Sequence, residues 1–205
     1  MRTRAAVLHE LHAPWSIEEI ELDPPKAGEV LVKLAASGMC HSDEHLVTGD
    51  LAGATAEMPI IGGHEGAGVV VEVGEGVTWL EPGDHVVFGF IPACGRCGMC
   101  AQGNSNLCDV GGTEFAKGVQ ISDGTARHHT LDGQDLTLMC LLGTFAEHTV
   151  VNEASCVKIE KDWPLDKACL LGCGVVTGWG SAVYAADIKP GDFVAVVGCG
   201  GIGSV

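Results

Sequence analysis

The sequence is poor in basic residues, has no long apolar run and carries no export signal. Lys and Arg total 11 against 27 Asp and Glu in 205 residues, a formal net charge of −16. A chain so short of cations repels phosphates, so nucleic acid and anionic membrane surfaces are not its expected partners. No apolar stretch reaches the roughly 18 residues of a membrane span. The segment Met1–Glu10 starts with a charge but has neither an apolar signal core nor a cleavage pattern. A cytoplasmic location is the resulting expectation.

Cysteine and glycine are abundant, at 10 and 30 residues. The chain is too long and too apolar, at 46% hydrophobic residues, to need a disulfide framework. Cys94, Cys97, Cys100 and Cys108 form one cluster, "CGRCGMCAQGNSNLC", spaced C-x2-C-x2-C-x7-C. Four thiolates on one short loop close a tetrahedron around Zn2+, with Zn–S bonds of roughly 2.3 Å. Such a site has no position left for substrate, so its role is structural. An iron–sulfur cluster takes the same four thiolates and is the rival reading. Cys40, Cys140, Cys156, Cys169, Cys173 and Cys199 are scattered.

Glu29–Gly38, Gly66–Val77 and Glu81–Phe90 read as strands bounded by glycine turns, and Thr144–Ile159 as two more. This part is expected to be a β barrel or sandwich. Gly111–Asp135 is expected to be a long polar loop, with Arg127–His129 solvated on it. From Asp162 the pattern turns helical and stops at Lys189–Gly191. "FVAVVGCGGIGSV", Phe193–Val205, reads as a buried strand leading into a glycine turn.

"GMCHSDEH" (38–45), "GGHEGAG" (62–68) and "GCGVVTG" (172–178) supply Cys40, His64 and Cys173. Together these make a Cys2His set with an open fourth position, as in a catalytic zinc site. Each of the three reads equally as a packing residue when taken alone. Gly198, Gly200 and Gly203, with Gly201 between, form G-x-G-x-x-G after an apolar strand, the context of a dinucleotide turn.

The motifs "GMCHSDEH", "GGHEGAGVV", "PGDHVV", "CGRCGMCAQGNSNLC", "LLGCGVVTGWGSA" and "VVGCGGIG", in this order, resemble the zinc-dependent medium-chain alcohol dehydrogenases. "ASGMCHSDEHLVTGD" and "LLGTFAEHTVV" are similar to the actinobacterial nitrosodimethylaniline-dependent branch, which holds its nicotinamide cofactor tightly. The resemblance implies a mainly β GroES-like domain over residues 1–165 and an incomplete start of an α/β Rossmann domain over 166–205. It implies reversible oxidation of an alcohol to an aldehyde, with hydride transfer to NAD (or NADP), and two zinc ions per chain. The catalytic zinc falls to Cys40, His64 and Cys173, with Glu65 beside it, and the structural zinc to Cys94, Cys97, Cys100 and Cys108. Asp43 accepts from the zinc-bound His64. Zinc lowers the pKa of the alcohol, Ser42 accepts its proton and His45 passes it on to solvent. His41 faces the cofactor pyrophosphate as a partly charged cation, and Thr177 touches the nicotinamide. The glycines Gly198, Gly200, Gly201 and Gly203 approach the cofactor, and Leu51 and Phe90 line the substrate pocket.

The resemblance covers about the first half of a family member. These residues alone are therefore expected to bind zinc without dehydrogenase activity, and a full-length form to be a homo-oligomer. A thiol-dependent formaldehyde dehydrogenase of the same superfamily and a non-enzymatic zinc-binding fragment are the alternatives.

Overall fold

The computed structural model describes residues 1–51 and 57–205. Among the described residues, ten strands run β1 (Arg2–Leu8), β2 (Ser16–Leu22), β3 (Glu29–Ser37), β4 (Ile60–Ile61), β5 (Gly66–Val73), β6 (His85–Phe88), β7 (His128–His129), β8 (Asp135–Leu138), β9 (His148–Asn152) and β10 (Cys156–Ile159). Five short α-helices are α1 (His41–Thr48), α2 (Gly98–Ala101), α3 (Asp109–Glu114), α4 (Leu165–Ala168) and α5 (Gly174–Gly180). None is long and apolar enough to cross a membrane by itself.

The strands form a closed barrel, β1-β2-β7-β8-β4, and a five-stranded sheet, β10-β6-β5-β3-β9. The apolar start of β3 explains its central place. Val30, Leu31 and Val32 are all buried, because β3 pairs with β5 on one edge and β9 on the other and has both faces covered. Val30 and Val32 join Val70, Val86, Phe88 and Val151 in the main core, while Leu31 turns to Leu22 and Val150. Burying each such side chain contributes about 1.5–3 kcal/mol. In the barrel β1 alternates as a half-buried strand must, with Thr3, Ala5 and Val7 inward.

Gly111–Asp135 is not the solvated loop expected. It holds part of α3 and all of β7, and Arg127 and His128 are buried. Arg127 grips the equally buried Glu29 with two bonds, Nε to Oε2 at 2.9 Å and Nη2 to Oε1 at 2.7 Å. Its Nη2 also reaches Asp123 at 2.9 Å. The partner lies 98 residues away in sequence, so local polarity misleads. Burial drives the His128 imidazole down to about 3, which keeps it neutral.

The Lys26 ammonium holds Asp123 well below the ordinary carboxylate range, and Lys158 lowers Asp84. A depressed folded-state pKa means stability that is full above the unfolded value, about 4, and lost as pH falls below it. The urea midpoint is therefore expected to drop between about pH 6 and about pH 3. An unchanged midpoint would contradict these ion pairs.

After β10, Ala168 at the end of α4 and the next residue, Cys169, pack with Ala67 and Val87. The chain leaves its helical stretch after Ala185, as Lys189–Gly191 suggests. Phe193–Val197 corrects the strand expectation. It forms no strand, and Phe193 and Val197 are fully exposed. An apolar run becomes a buried strand only when neighbours cover it, and among the described residues none pairs with it. Among the described residues the strand of a Rossmann start is accordingly not formed, although Gly198–Gly203 does curl into a turn, with Gly198 at φ +92°.

Candidate metal centres

The four-cysteine loop contributes almost nothing apolar to the core. α2 has no buried residue, and of the four cysteines only Cys108 is buried. Yet the four sulfurs all lie within 4.8 Å of one another. The Cys97 and Cys108 sulfurs stand 3.9 Å apart, close to the roughly 3.8 Å edge of a tetrahedron with Zn–S bonds of about 2.3 Å. Backbone N–H groups aim at the sulfurs: Cys97 N to Cys94 Sγ at 3.3 Å, Cys100 N to Cys97 Sγ at 3.4 Å and Cys94 N to Cys108 Sγ at 3.3 Å. Burial opposes ionisation of Cys108, but the N–H groups of Cys94 and Gly111 outweigh it and bring the thiol down to about 6. Cys100 is pushed up to about 12 by burial and then by neighbouring Cys97. Four thiolates here repel one another unless a cation sits between them, and zinc fits that need.

The second centre is assembled from three distant segments. Cys40 lies at the turn from β3 into α1, His64 between β4 and β5, and Cys173 immediately before α5. One ligand atom from each falls within 4.8 Å of the others, with His64 and Cys173 buried and Cys40 partly so. α1 starts here because Asp43 and Glu44 favour its positive end, and it stops at Gly49 in the left-handed region.

Asp43 is the anchor of this centre. It is buried, and it accepts the Cys40 N–H at 3.0 Å and the Gly63 N–H at 3.0 Å. Its Oδ1 also faces His64 Nδ1 at 3.5 Å, long for a hydrogen bond. Gly63 reaches this position at φ +85°, where a Cβ would lie 2.5 Å from Thr144 Oγ1. Burial alone would lower His64, but Asp43 and then Cys173 outweigh it and lift the imidazole to about 10. Burial likewise resists ionisation of Cys40, but the Ser42 N–H and hydroxyl and then His64 bring the thiol below its ordinary value. Two thiols and an imidazole gathered this closely are the donors a divalent cation takes, so this set also fits zinc.

Other expected residues gather around the same point. Ser42 Oγ lies 3.6 Å from Cys40 Sγ, and Thr177 Oγ1 lies 3.9 Å from Cys173 Sγ. His41 is exposed and its ring meets the half-exposed His45 ring edge-on, with centroids 4.5 Å apart. Phe90 stands edge-on to His64 at 6.0 Å. Phe90 and Leu51 both pack against Leu8, Leu46, Ile60, Met139 and Cys140. Phe90 and Thr177 also line a cleft of about 740 Å³ between the four-cysteine loop and α5. Glu65 is buried, but its carboxylate accepts the Gly174 N–H at 2.7 Å and does not join the three ligand atoms. The glycines Gly198, Gly200 and Gly201 are exposed, and Gly203 partly so, in the C-terminal turn. Sequence reasoning missed Cys140. Its buried thiol is pushed far up by burial and then by Asp43, Cys173 and Cys40. Only its φ of +54°, invisible in sequence, marks the position.

Residues 26–161 match the family model for the alcohol dehydrogenase GroES-like domain. Alcohol dehydrogenase B of Mycobacterium tuberculosis is 52% identical over 203 residues, which is 99% of this chain and 53% of that protein. An NDMA-dependent alcohol dehydrogenase of Amycolatopsis methanolica is 53% identical over 204 residues, 99% of this chain and 53% of its own length. The chain thus spans about half the length of the curated relatives it matches. The crystal structure of an alcohol dehydrogenase zinc-binding domain protein from Burkholderia ambifaria superposes with a TM-score of 0.89 at 33% identity, covering 99% of this chain and 54% of that one. With the family model matched over residues 26–161 and both metal-ligand sets assembled on its fold, the chain belongs to the medium-chain alcohol dehydrogenases, whose GroES-like domain it carries.

Proposed function

We propose that this chain forms the metal-binding catalytic part of a zinc- and nicotinamide-dependent dehydrogenase acting on primary alcohols and aldehydes. Residues 1–165 are the catalytic unit, and 166–205 begin the cofactor-binding unit. The observation that carries the reading is the convergence of Cys40, His64 and Cys173 within 4.8 Å, with Ser42 and Thr177 beside them. The names of the relatives, alcohol dehydrogenase B and NDMA-dependent alcohol dehydrogenase, support the substrate class.

Cys40, His64 and Cys173 would hold the catalytic zinc. Asp43 Oδ1 faces Nδ1 of His64, which would leave Nε2 to bind the metal. Zinc held there would supply Lewis acidity towards an alcohol hydroxyl, and a bound nicotinamide, NAD or NADP, would supply the hydride acceptor. The chain's own groups do the rest. Ser42 Oγ takes the proton that the alcohol loses. His45, three residues further along α1 and half exposed, carries that proton to solvent. His41, exposed at the start of α1, would face the cofactor pyrophosphate. Thr177 would contact the nicotinamide, and Gly198, Gly200, Gly201 and Gly203 would lie near the phosphates. Phe90 and Leu51 give the pocket apolar walls that exclude water. Four thiolates, from Cys94, Cys97, Cys100 and Cys108, would hold the structural zinc.

The test loads the chain with Co2+ in place of zinc and titrates in a primary alcohol while the visible ligand-field bands are followed. A spectral shift that disappears in Cys40→Ser is expected. Bands that ignore the alcohol would contradict an open ligand position.

A further inference from the structure

We propose that Glu65 is a strut of the Cys40–His64–Cys173 centre and not one of its ligands. Its backbone carbonyl holds the end of β3 and its carboxylate holds the entry to α5, so this one residue ties together the three segments that carry the ligands, with the carboxylate turned to Gly174 and Gly38. The proposal rests on the reading above that this centre takes up a metal.

Three pieces of chain meet at Glu65. The first is the end of β3. Gly38 N–H donates to the Glu65 carbonyl at 2.7 Å, and the Ser37 hydroxyl donates to the same carbonyl at 3.1 Å. The Glu65 carboxylate then lies across the bare face of Gly38: a Cβ there would sit 2.2 Å from Oε2 and 2.6 Å from Cδ. Two residues on is Cys40. The second piece is Glu65's own segment, which carries His64. The third is the entry to α5. The Gly174 N–H donates to Glu65 Oε1 at 2.7 Å, and the residue before Gly174 is Cys173. Gly172 adds a close backbone approach, since a Cβ on it would meet Glu65 Cα at 3.5 Å and the Phe88 carbonyl at 2.7 Å.

The chemistry follows from these contacts. A part-buried backbone N–H needs an acceptor, and Glu65 supplies one to Gly174. Because the glutamate is 3% exposed, its carboxylate has little freedom to swing elsewhere. Oε1 takes the Gly174 N–H and Oε2 sits over Gly38, so both oxygens are turned to the two flanking segments, and the carboxylate is not among the three ligand atoms gathered within 4.8 Å. Leaving Glu65 out of the coordination shell keeps the fourth position open. A glutamine at this position preserves the length and the accepting oxygen, but removes the charge and most of the affinity for a cation. An alanine removes the Gly174 acceptor and the packing over Gly38 while the carbonyl bonds to β3 remain.

The experiment titrates Co2+ into the metal-free, reduced chain and follows the thiolate charge-transfer and ligand-field bands. Wild type is expected to bind two equivalents, of which Cys173→Ser loses one. E65Q is expected to keep both, with an unchanged ligand-field spectrum. E65A is expected to weaken the Cys173-dependent site by roughly ten- to a hundred-fold while the four-cysteine site is unaffected. G38A leaves the glutamate in place but denies it its seat, and is expected to weaken the same site, which decides the matter if E65A does not fold. Unchanged affinity in E65A or G38A overturns the proposal. So does an E65Q variant that loses affinity as E65A does, or that shifts the ligand-field bands, since the carboxylate would then be acting as a ligand. A wild-type chain that takes up one Co2+, indifferent to Cys173→Ser, overturns both the catalytic-centre reading and this proposal.

Discussion

Replacing Arg127 with alanine is expected to cost about 3–5 kcal/mol of folding stability. The reason is Glu29. Its carboxylate is wholly buried at the start of β3, where it takes both Arg127 bonds, the Lys26 N–H at 2.9 Å and the Ser122 hydroxyl. Truncating the arginine leaves a charge in the core with most of its compensation gone. Lysine does not substitute, because a single ammonium cannot match the two-bond fork. Lys26 makes a useful contrast. It bonds Asp123 at the surface with more than half its side chain exposed, so Lys26→Ala is expected to cost under about 1 kcal/mol. Replacing Glu29 and Arg127 together by apolar residues of similar volume is expected to recover much of the loss, since the buried ion pair itself is near neutral. Urea unfolding reads all three. A loss below about 1 kcal/mol for Arg127→Ala would show that the pair is not sealed from water.

Replacing Cys108 with serine is expected to remove one metal ion per chain and to unfold residues 94–108. The loop has no core to fall back on: α2 is four residues long and buries nothing. Its order rests on sulfur positions, and Cys108 is the sulfur that the Cys94 and Gly111 N–H groups hold as thiolate. Apparent zinc affinities in small thiolate sites reach about 10–16 kcal/mol, far more than a loop of this size gains from packing. Amide hydrogen exchange at Cys97, Cys100 and Leu107 is expected to rise to the rate of an open chain, while exchange in β3 and β5 stays slow. Protection that survives in the loop would mean the backbone, not the metal, organises it.

What was legible in the sequence follows a physical line. β3 and β5 could be read because their own β-branched runs fit the centre of a sheet, and the four-cysteine loop because all its donors are local. The Cys40–His64–Cys173 set was legible only as a possibility. Its geometry depends on Asp43 bonding both Cys40 and Gly63, and on Glu65 bonding Gly174 from 109 residues away. Arg127 was misread because burial of a charge is decided by a distant partner. Phe193–Val197 was misread for the converse reason, since its apolar pattern is that of a strand but pairing requires neighbours. Cys140 gave no local signal at all.

The central claim is that two separate metal centres form on this chain, one of them with an open position. Elemental analysis of zinc per purified chain, for wild type and Cys173→Ser side by side, tests it most directly. The account predicts two zinc ions in wild type and one in the variant. One zinc in both would contradict it, leaving the four-cysteine loop as the chain's metal site and Cys40, His64 and Cys173 as packing residues.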